Sequence, residues 1–300
     1  MRVLVTGAAG MLARDLVPCL QNKGHEVLAP PENDLDITRI DAIRRWTGSS
    51  KPEALINCAA YTKVDQAERE EPLAMLINGL AVQNLCLVCQ EADIPLVHFS
   101  TDYVFDGTKN EPYTVYDQPN PISAYGRTKL LGEKYVLWLL NRFYLVRTSW
   151  LFGIHGPNFI ETMLNLAQKQ KQVSVVNDQR GCPTWTQHLS EAVVSLIESG
   201  RYGVYHATNS GPTTWFEYAT EILRLAGTGT EVLPITSLQF PTAAARPKNS
   251  VLDPFPLPEA IGREMPPWQD ALRQYLSQRN KDGKGETPNP QSQRYPYDQT

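Results

Sequence analysis

Apolar residues in the first half of the chain form short continuous runs that alternate with longer segments of helical spacing. Runs such as "RVLVT" at 2–6 are rich in branched residues, which is typical of strands buried on both faces of a sheet. The segments between these runs repeat apolar residues every three or four positions, as amphipathic helices do. The pattern predicts strands at 2–6, 25–30, 53–60, 94–101 and 143–150, and helices at 11–24, 37–50, 72–92 and 123–140.

This alternation predicts an α/β fold, namely a doubly wound parallel sheet of the Rossmann type with helices on both faces. Ligands in such sheets bind beyond the carboxyl ends of the strands. The residues directly after each strand are therefore the candidates for function. They are "TGAAG", "NCAAYTKVD", "FSTDYVFDG" and "RTSWLFG".

The second half of the chain is richer in proline and has shorter mixed segments, which predicts a smaller, irregular lobe. Only "GVYHAT" at 203–208 resembles a further strand of the main sheet. The final residues are polar and poor in aliphatic side chains, as disordered tails are. The predicted division is 1–153 with 182–210 for a dinucleotide-binding Rossmann domain, 154–181 and 211–278 for a substrate-binding lobe, and 279–300 for a disordered polar tail.

Composition and charge narrow the class of protein. A chain of 300 residues, 42% of them hydrophobic, can form one large or two modest domains with a sizeable core. The net charge of −4 offers no basic field for nucleic acid or anionic lipid. No apolar run approaches the roughly 20 residues of a membrane span, and the N-terminus lacks the pattern of a signal peptide. We therefore expect a cytoplasmic protein with no nucleic-acid or membrane partner.

The five cysteines are scattered without the spacing of a disulfide framework, which predicts reduced thiols. Cys86 and Cys89 form a C-x-x-C pair within a helix of apolar periodicity. Because no second pair is present in the sequence, we interpret both as core residues and not as a metal or redox site.

A glycine turn follows the first predicted strand and opens the first predicted helix. Gly7, Gly10 and Ala13 have the spacing G-x-x-G-x-x-A. Such a turn lets the backbone approach a pyrophosphate, whose charge then faces the N-terminus of the helix. A plain tight turn is the alternative, but the flanking strand and helix favour dinucleotide binding. Ala29 and Pro30 stand where an acidic residue would favour NAD, so the choice between NADPH and NADH stays open.

Tyr125 and Lys129 lie four positions apart in a predicted helix, so their side chains share one face and can meet beside a common ligand. An ammonium about 4 Å from the phenol would lower its pKa by roughly three units at an effective dielectric of 20. The pair would then suit proton donation to a carbonyl beside a nicotinamide, with the lysine also holding ribose hydroxyls. The alternative is a packed tyrosine and a solvated lysine.

The strand that ends in "FSTDY" carries the hydroxyls of Ser100 and Thr101, which could polarise a substrate carbonyl. Tyr103 lies two residues further on and could line the pocket. The alternative is a turn stabilised by serine, threonine and aspartate side chains.

Taken together, "TGAAGMLA", "STDYVFDG", "YGRTKLLGE", "RTSWLFG" and "ARPKNSVLD" resemble the extended short-chain dehydrogenase/reductase superfamily. More narrowly, residues 1 to about 278 are similar to the dTDP-4-dehydrorhamnose reductases. That family reduces the 4-keto group of dTDP-4-dehydrorhamnose to give dTDP-L-rhamnose, using NADPH or NADH. The resemblance therefore implies a nucleotide sugar as the partner molecule, and it leaves a homodimer open.

The resemblance also implies roles for individual residues. Tyr125 would be the proton donor, Lys129 would lower its pKa and bind the ribose, and Thr101 would polarise the substrate oxygen. Besides Tyr125 and Lys129, the positions that match the cofactor site are Gly7, Gly10, Met11, Leu12, Asp36, Ile37, Ala59, Ala60 and Tyr61. The positions that match the substrate pocket are Lys63, Val64, Tyr103, Trp150, Arg246 and Asn249.

Some members of the family bind magnesium through acidic side chains between subunits. Asp15 and Glu191 would be remnants of that arrangement, but two separate carboxylates do not make a metal site, so we predict none. The alternatives are a nucleotide-sugar epimerase or dehydratase of the same superfamily, and a non-catalytic regulatory subunit like that of methionine adenosyltransferase. A dehydratase is disfavoured because no glutamate follows Asp102. The intact tyrosine, lysine and threonine set disfavours the regulatory subunit.

Overall fold

The computed structural model describes residues 1–281. Its strands are β1 Arg2–Thr6, β2 Glu26–Leu28, β3 Ala54–Asn57, β4 Leu96–Thr101, β5 Phe143–Thr148, β6 Leu151–Phe152, β7 Gln172–Val176, β8 Arg180–Gly181, β9 Thr184–Trp185, β10 Gly203–His206, β11 Thr213–Thr214 and β12 Glu231–Ile235. Its α-helices are α1 Met11–Asn22, α2 Ile40–Ser50, α3 Val64–Ala67, α4 Glu71–Met75, α5 Ala81–Glu91, α6 Ala124–Leu139, α7 Phe159–Lys169, α8 Thr186–Ser199, α9 Trp215–Ala226, α10 Leu257–Ile261 and α11 Trp268–Lys281.

Six strands form a parallel central sheet in the order β10–β5–β4–β3–β1–β2, which confirms the predicted fold class. β10 extends the sheet beside β5, as the pattern at 203–208 predicts. The strand order reverses at β1, which has β2 on one side and β3 on the other. Loops diverge at such a point and open a crevice at the carboxyl ends of the strands, where ligands of doubly wound sheets bind.

The sequence predictions of the main-sheet strands and the helices around them agree with the structure within three residues at each end, and the differences have local causes. The second helix begins at Ile40 and not at residue 37, because the carboxylate of Asp36 accepts hydrogen bonds from the amide and hydroxyl of Thr38 and holds a turn there. β3 ends at Asn57, whose side chain accepts from the hydroxyl of Thr6 and the amide of Ala59.

Hydrophobic clusters cover both faces of the central sheet, because alternate strand residues point to opposite sides. Val3 and Val5 belong to one cluster, beneath α1 and α8, and Leu4 belongs to the other, beneath α5 and α6. Cys86 and Cys89 are buried in the second cluster, which agrees with their interpretation as core residues. A third cluster fills the smaller lobe with aromatic and aliphatic side chains from α7, α9 and α11.

The helix α11 continues to Lys281, so the first three residues of the predicted tail are helical. Arg279 is held there by a two-point ion pair with Glu161 of α7, with N···O distances of 2.6 and 3.0 Å. The remaining residues of the predicted tail, 282–300, lie outside the described residues. Within the predicted lobe, Leu257 and Met265 pack in the cluster beneath α8 and thus belong to the core of the larger unit.

The segment Glu71–Glu91 forms one helical stretch of 21 residues, in which Leu76–Leu80 makes a π-helical turn. With 21 residues and a mean hydropathy of 1.7, the stretch is long and apolar enough to cross a membrane, by length and composition only. The prediction that no apolar segment approaches this length was therefore wrong. Half of the apolar window is buried inside the fold, and core helices of soluble proteins pass the same test. The stretch is therefore weak evidence for a membrane span.

Candidate active site

The turn between β1 and α1 approaches the loop after β3 very closely. Gly7 has φ +65°, and a Cβ at this position would lie 2.5 Å from the backbone nitrogen of Ala59. Gly10 begins α1 in an extended conformation, and no side chain caps the first amides of that helix. Uncapped amides at a helix N-terminus bind anions such as phosphates, and the glycine removes the side chain that would fill the cradle. These residues fit the pyrophosphate of a dinucleotide.

Substitution of Gly7 by alanine tests this close approach. We expect Gly7→Ala to weaken NADPH binding at least tenfold and to lower the melting temperature, because the methyl group would separate the two loops and the residue would keep an unfavourable φ. Gly24→Ala is the matched control, since Gly24 also has positive φ but has no atoms within 4 Å of an added Cβ. A control variant with equally weakened NADPH binding would contradict the prediction.

The other positions that match the cofactor site lie along the same edge of the sheet. Leu12 and Ile37 are buried in hydrophobic clusters, so only their backbone could meet a ligand. Tyr61 is buried as well, and its hydroxyl donates a hydrogen bond of 2.7 Å to Glu70. The side chain of Met11 lies close to Gly156, in the segment that follows β6.

A cleft of about 1330 Å³ opens between the sheet edge and the smaller lobe. Its walls include the catalytic candidates Thr101 and Tyr125. Five of the six substrate candidates also line it, namely Lys63, Val64, Tyr103, Trp150 and Arg246. The structure thus brings together residues from β4 and the turn after it, from helices α3 and α6, and from three loops, which are up to 183 positions apart in the chain (246 − 63).

Tyr125 lies in the first turn of α6, which the side chain of Ser123 caps by accepting from the amide of Gly126. It lines the cleft together with Thr101, the last residue of β4. Its ring meets that of Tyr103 edge to face, with centroids 6.0 Å apart. The hydroxyl of Thr101 donates to the carboxylate of Asp102 over 3.0 Å.

Burial raises the pKa of Tyr125, and the neighbouring hydroxyl of Thr101 only limits the rise. The prediction that Lys129 brings this pKa toward neutrality is therefore contradicted. The physical reason is that desolvation of a phenolate outweighs the other influences on this ring. Tyr125 is consequently a neutral phenol near pH 7, which is the state that a proton donor must have.

Lys129 is buried one helical turn beyond Tyr125, and its Nζ donates a hydrogen bond of 2.6 Å to the carbonyl oxygen of Phe99. Burial lowers the pKa of Lys129 to about 8, and the carboxylate of Glu133 limits the fall. Glu133 itself forms a buried two-point ion pair with Arg147, at 2.9 and 2.7 Å. An ammonium has three N–H donors, so Lys129 retains capacity for ribose hydroxyls beyond the bond to Phe99.

Arg246 reaches across the cleft to α3. Its guanidinium forms a two-point ion pair with Asp65, with N···O distances of 3.1 and 2.6 Å. Burial alone would raise the pKa of Asp65, but this ion pair and the amide of Ala244 lower it below its usual value. Burial raises the pKa of Tyr103 to about 12, and the nearby Arg246 limits that rise.

Comparison with known proteins identifies the family. The family model for the RmlD substrate binding domain matches residues 1–280. The chain belongs to this family, the dTDP-4-dehydrorhamnose reductases. A dTDP-4-keto-6-deoxy-D-glucose reductase from Streptomyces niveus is 43% identical over 94% of this chain and 98% of its own. A dTDP-4-dehydrorhamnose reductase from Streptomyces griseus is also 43% identical, over 84% and 85% of the two chains.

Solved structures agree with this assignment. The dTDP-4-dehydrorhamnose reductase from Clostridium acetobutylicum superposes with a TM-score of 0.90 at 40% identity, covering 93% of this chain and all of its own. The enzyme from Bacillus anthracis, crystallised in complex with NADP, gives a TM-score of 0.89 at 39% identity and covers 92% and 99% of the two chains. These likenesses confirm the predicted resemblance, and the NADP complex supports a dinucleotide cofactor for the family.

The substrate candidate Asn249 does not lie in the cleft wall, and neither does the catalytic candidate Lys129, which is buried behind it. The side-chain amide of Asn249 donates to the carbonyl oxygens of Lys109, Asn110 and Glu111, at 2.8, 3.3 and 3.2 Å, and the residue is buried. Its amide therefore holds the loop after β4 in place, and the structure does not bring it together with the other substrate candidates.

The cleft of this RmlD-family chain also contains residues that sequence reasoning missed. Asp102 is buried beside Thr101, and burial raises its pKa to about 7. It stands inside the "STDY" motif, so the motif could have identified Asp102 as a site residue from the sequence. Trp215 and Asp65 line the cleft without any local motif. Among residues 1–281, no group of three or more metal-ligating side chains could hold a metal ion, and the carboxylate of Asp15 accepts a hydrogen bond from Thr186.

Proposed function

We propose that this protein reduces the 4-keto group of dTDP-4-dehydrorhamnose to give dTDP-L-rhamnose, with NADPH or NADH as the reductant. The observation that carries the proposal is the joint placement of Tyr125 and Thr101 in the wall of a large cleft that five of the six substrate candidates also line. In this proposal the sheet domain holds the dinucleotide and the smaller lobe holds the nucleotide sugar. The activity is placed in the cytoplasm, where such sugar precursors are made.

The turn at Gly7 and Gly10 would hold the pyrophosphate of the cofactor, and Lys129 would hold its nicotinamide ribose. When bound, the reduced nicotinamide supplies a hydride for C4 of the sugar. Tyr125 donates its proton to the C4 oxygen. The single O–H of Thr101, which donates to Asp102 in this structure, turns to the same oxygen when substrate binds and polarises the carbonyl.

The nucleotide half of the substrate requires cations, since it carries a diphosphate. Lys63, Arg69, Arg246 and Lys248 line the cleft on the side of α3 and the loop that follows β12. A guanidinium binds phosphate oxygens in a two-point geometry, as Arg246 already binds the carboxylate of Asp65. We infer that the diphosphate competes with Asp65 for Arg246.

Replacing Arg246 tests that inference. We expect Arg246→Met to raise the KM for the nucleotide sugar between about 10-fold and 100-fold, because charged hydrogen bonds to the diphosphate are lost. The KM for NADPH should not change. Steady-state kinetics with each substrate varied in turn measure both values. Arg224→Met, which removes an exposed ion pair on α9, is the control, and an unchanged sugar KM in Arg246→Met would contradict the inference.

Incubation of the purified protein with NADPH and dTDP-4-dehydrorhamnose tests the proposed function. We expect loss of absorbance at the reduced nicotinamide band and formation of dTDP-L-rhamnose, identified by chromatography against a standard. Two relatives that are both 43% identical to this chain are named for different dTDP-4-keto-6-deoxy sugars. The second of these sugars, dTDP-4-keto-6-deoxy-D-glucose, is therefore the competing substrate in the assay. Faster reduction of that sugar would replace the proposed substrate, and reduction of neither would overturn the proposal.

A further inference from the structure

Trp150 has a backbone conformation that bulky residues seldom adopt. It lies between β5 and β6 with φ +46°, in the left-handed region. Such strain persists only where surrounding contacts hold a residue in place, and it gathers at functional sites. The side chain of Trp150 lines the cleft beside Tyr125. The contacts that hold Trp150 therefore bear on the geometry of the site.

Trp215 provides one of these contacts. The indole rings of Trp150 and Trp215 are stacked, with centroids 3.5 Å apart and an angle of 7° between their planes. Phe159 supports Trp215, with ring centroids 4.6 Å apart. Trp215 is the first residue of α9, and the capping box of Thr214 and Glu217 fixes the start of that helix. Both indoles line the cleft.

Gly181 provides a second contact. A Cβ at this position would lie 2.5 to 2.7 Å from three atoms of the Trp150 indole, so only glycine lets the ring occupy its place. Gly181 pairs with Thr213 in the short ribbon of β8 and β11, and Trp215 follows that ribbon directly. One element of the lobe thus carries both the residue that stacks on Trp150 and the residue that makes room for it.

We propose that Trp215 and Gly181 are positioning residues that hold Trp150 as the apolar wall of the sugar subsite. This inference rests on the proposed function, since it assumes a keto sugar bound beside Tyr125. An indole held in one place keeps this part of the cleft wall apolar and rigid, so it restricts how a sugar ring lies relative to the phenol of Tyr125. The Trp150 indole would contact the sugar and not the dinucleotide, which the glycine turn before α1 would hold.

The test combines kinetics with circular dichroism. We expect Trp215→Leu to raise the KM for dTDP-4-dehydrorhamnose between about threefold and tenfold, as loss of a stacked aromatic pair implies, and to leave the KM for NADPH unchanged. Gly181→Ala should give the same pattern, because the methyl group displaces the indole. Trp215→Phe should recover part of the loss, since phenylalanine keeps an aromatic face.

The electronic transitions of two stacked indoles couple with each other, and this coupling gives a pair of positive and negative bands in the circular dichroism spectrum. We expect this signal in the wild type, its loss in Trp215→Leu, and its persistence in Trp138→Leu, which removes an indole that is 68% exposed. Persistence of the paired band in Trp215→Leu, or equal changes in both KM values, would overturn the positioning role. Absence of turnover in the wild type would instead overturn the proposed function and the sugar role with it.

Discussion

Tyr125→Phe is expected to lower kcat between about 100-fold and 10,000-fold, the range that general acid catalysis contributes. The variant keeps the ring and its edge-to-face contact with Tyr103, so the shape of the cleft should persist. It removes only the hydroxyl that gives the proton in the proposed reaction. The affinity for NADPH, measured by fluorescence titration, should change less than threefold, since the phenol acts on the sugar oxygen.

The control for this variant is Tyr135→Phe. Tyr135 lies on the same helix, α6, and packs on the surface against Trp138. Its hydroxyl has no place in the proposed chemistry, so kcat should stay at the value of the wild type. Turnover near normal in Tyr125→Phe, with the control unchanged, would show that another group gives the proton.

Lys129→Ala is expected to impair two functions together. Loss of the ammonium should weaken NADPH binding between about 10-fold and 100-fold, because charged hydrogen bonds to the ribose disappear. It should also lower kcat, because the nicotinamide ribose that Lys129 holds in the proposed complex would lose its fixed position. Lys134→Ala on the exposed face of the same helix is the matched control. Intact NADPH affinity in Lys129→Ala would contradict the ribose assignment.

The activity of the wild type should also depend on the charge of Lys129, which changes with pH. Burial lowers the pKa of Lys129 to about 8, so the ammonium is present below this pH and is lost as the pH rises through it. Activity should therefore fall on the alkaline side at about pH 8, well below the range in which an exposed lysine titrates. Measurement of kcat/KM for NADPH between pH 6 and pH 10 at roughly unit intervals tests this limb. A constant value up to pH 10 would contradict it.

The sequence predicts those parts of the site that local patterns encode. Tyr125 and Lys129 share one helix, Thr101 ends a buried strand, and Gly7 opens a helix, so spacing and strand order place them at one edge of the sheet. Those relations depend on helical periodicity and on the topology of doubly wound sheets. The same reasoning placed the four predicted helices and the main-sheet strands within three residues of their observed ends, and it did not predict the helices from α7 onward.

The remaining features depend on packing between distant segments. The ion pair of Asp65 with Arg246 joins residues 181 positions apart, and the stack of Trp150 on Trp215 joins the turn after β5 to the start of α9. The pKa of Tyr125 depends on how completely the fold buries the phenol, and spacing along a helix carries no information on burial by other elements. A charge argument based on Lys129 alone consequently gave the wrong direction.

The most direct test of the account labels the hydride with deuterium and removes the proposed proton donor by mutation. The wild type is supplied with NADPH carrying deuterium at both C4 positions of the nicotinamide, together with dTDP-4-dehydrorhamnose, and the product is examined by NMR. The account predicts deuterium on C4 of the sugar in the wild type, and formation of the same labelled product in Tyr125→Phe at a rate lower by at least about 100-fold. Deuterium at another carbon, or an undiminished rate in Tyr125→Phe, would contradict it.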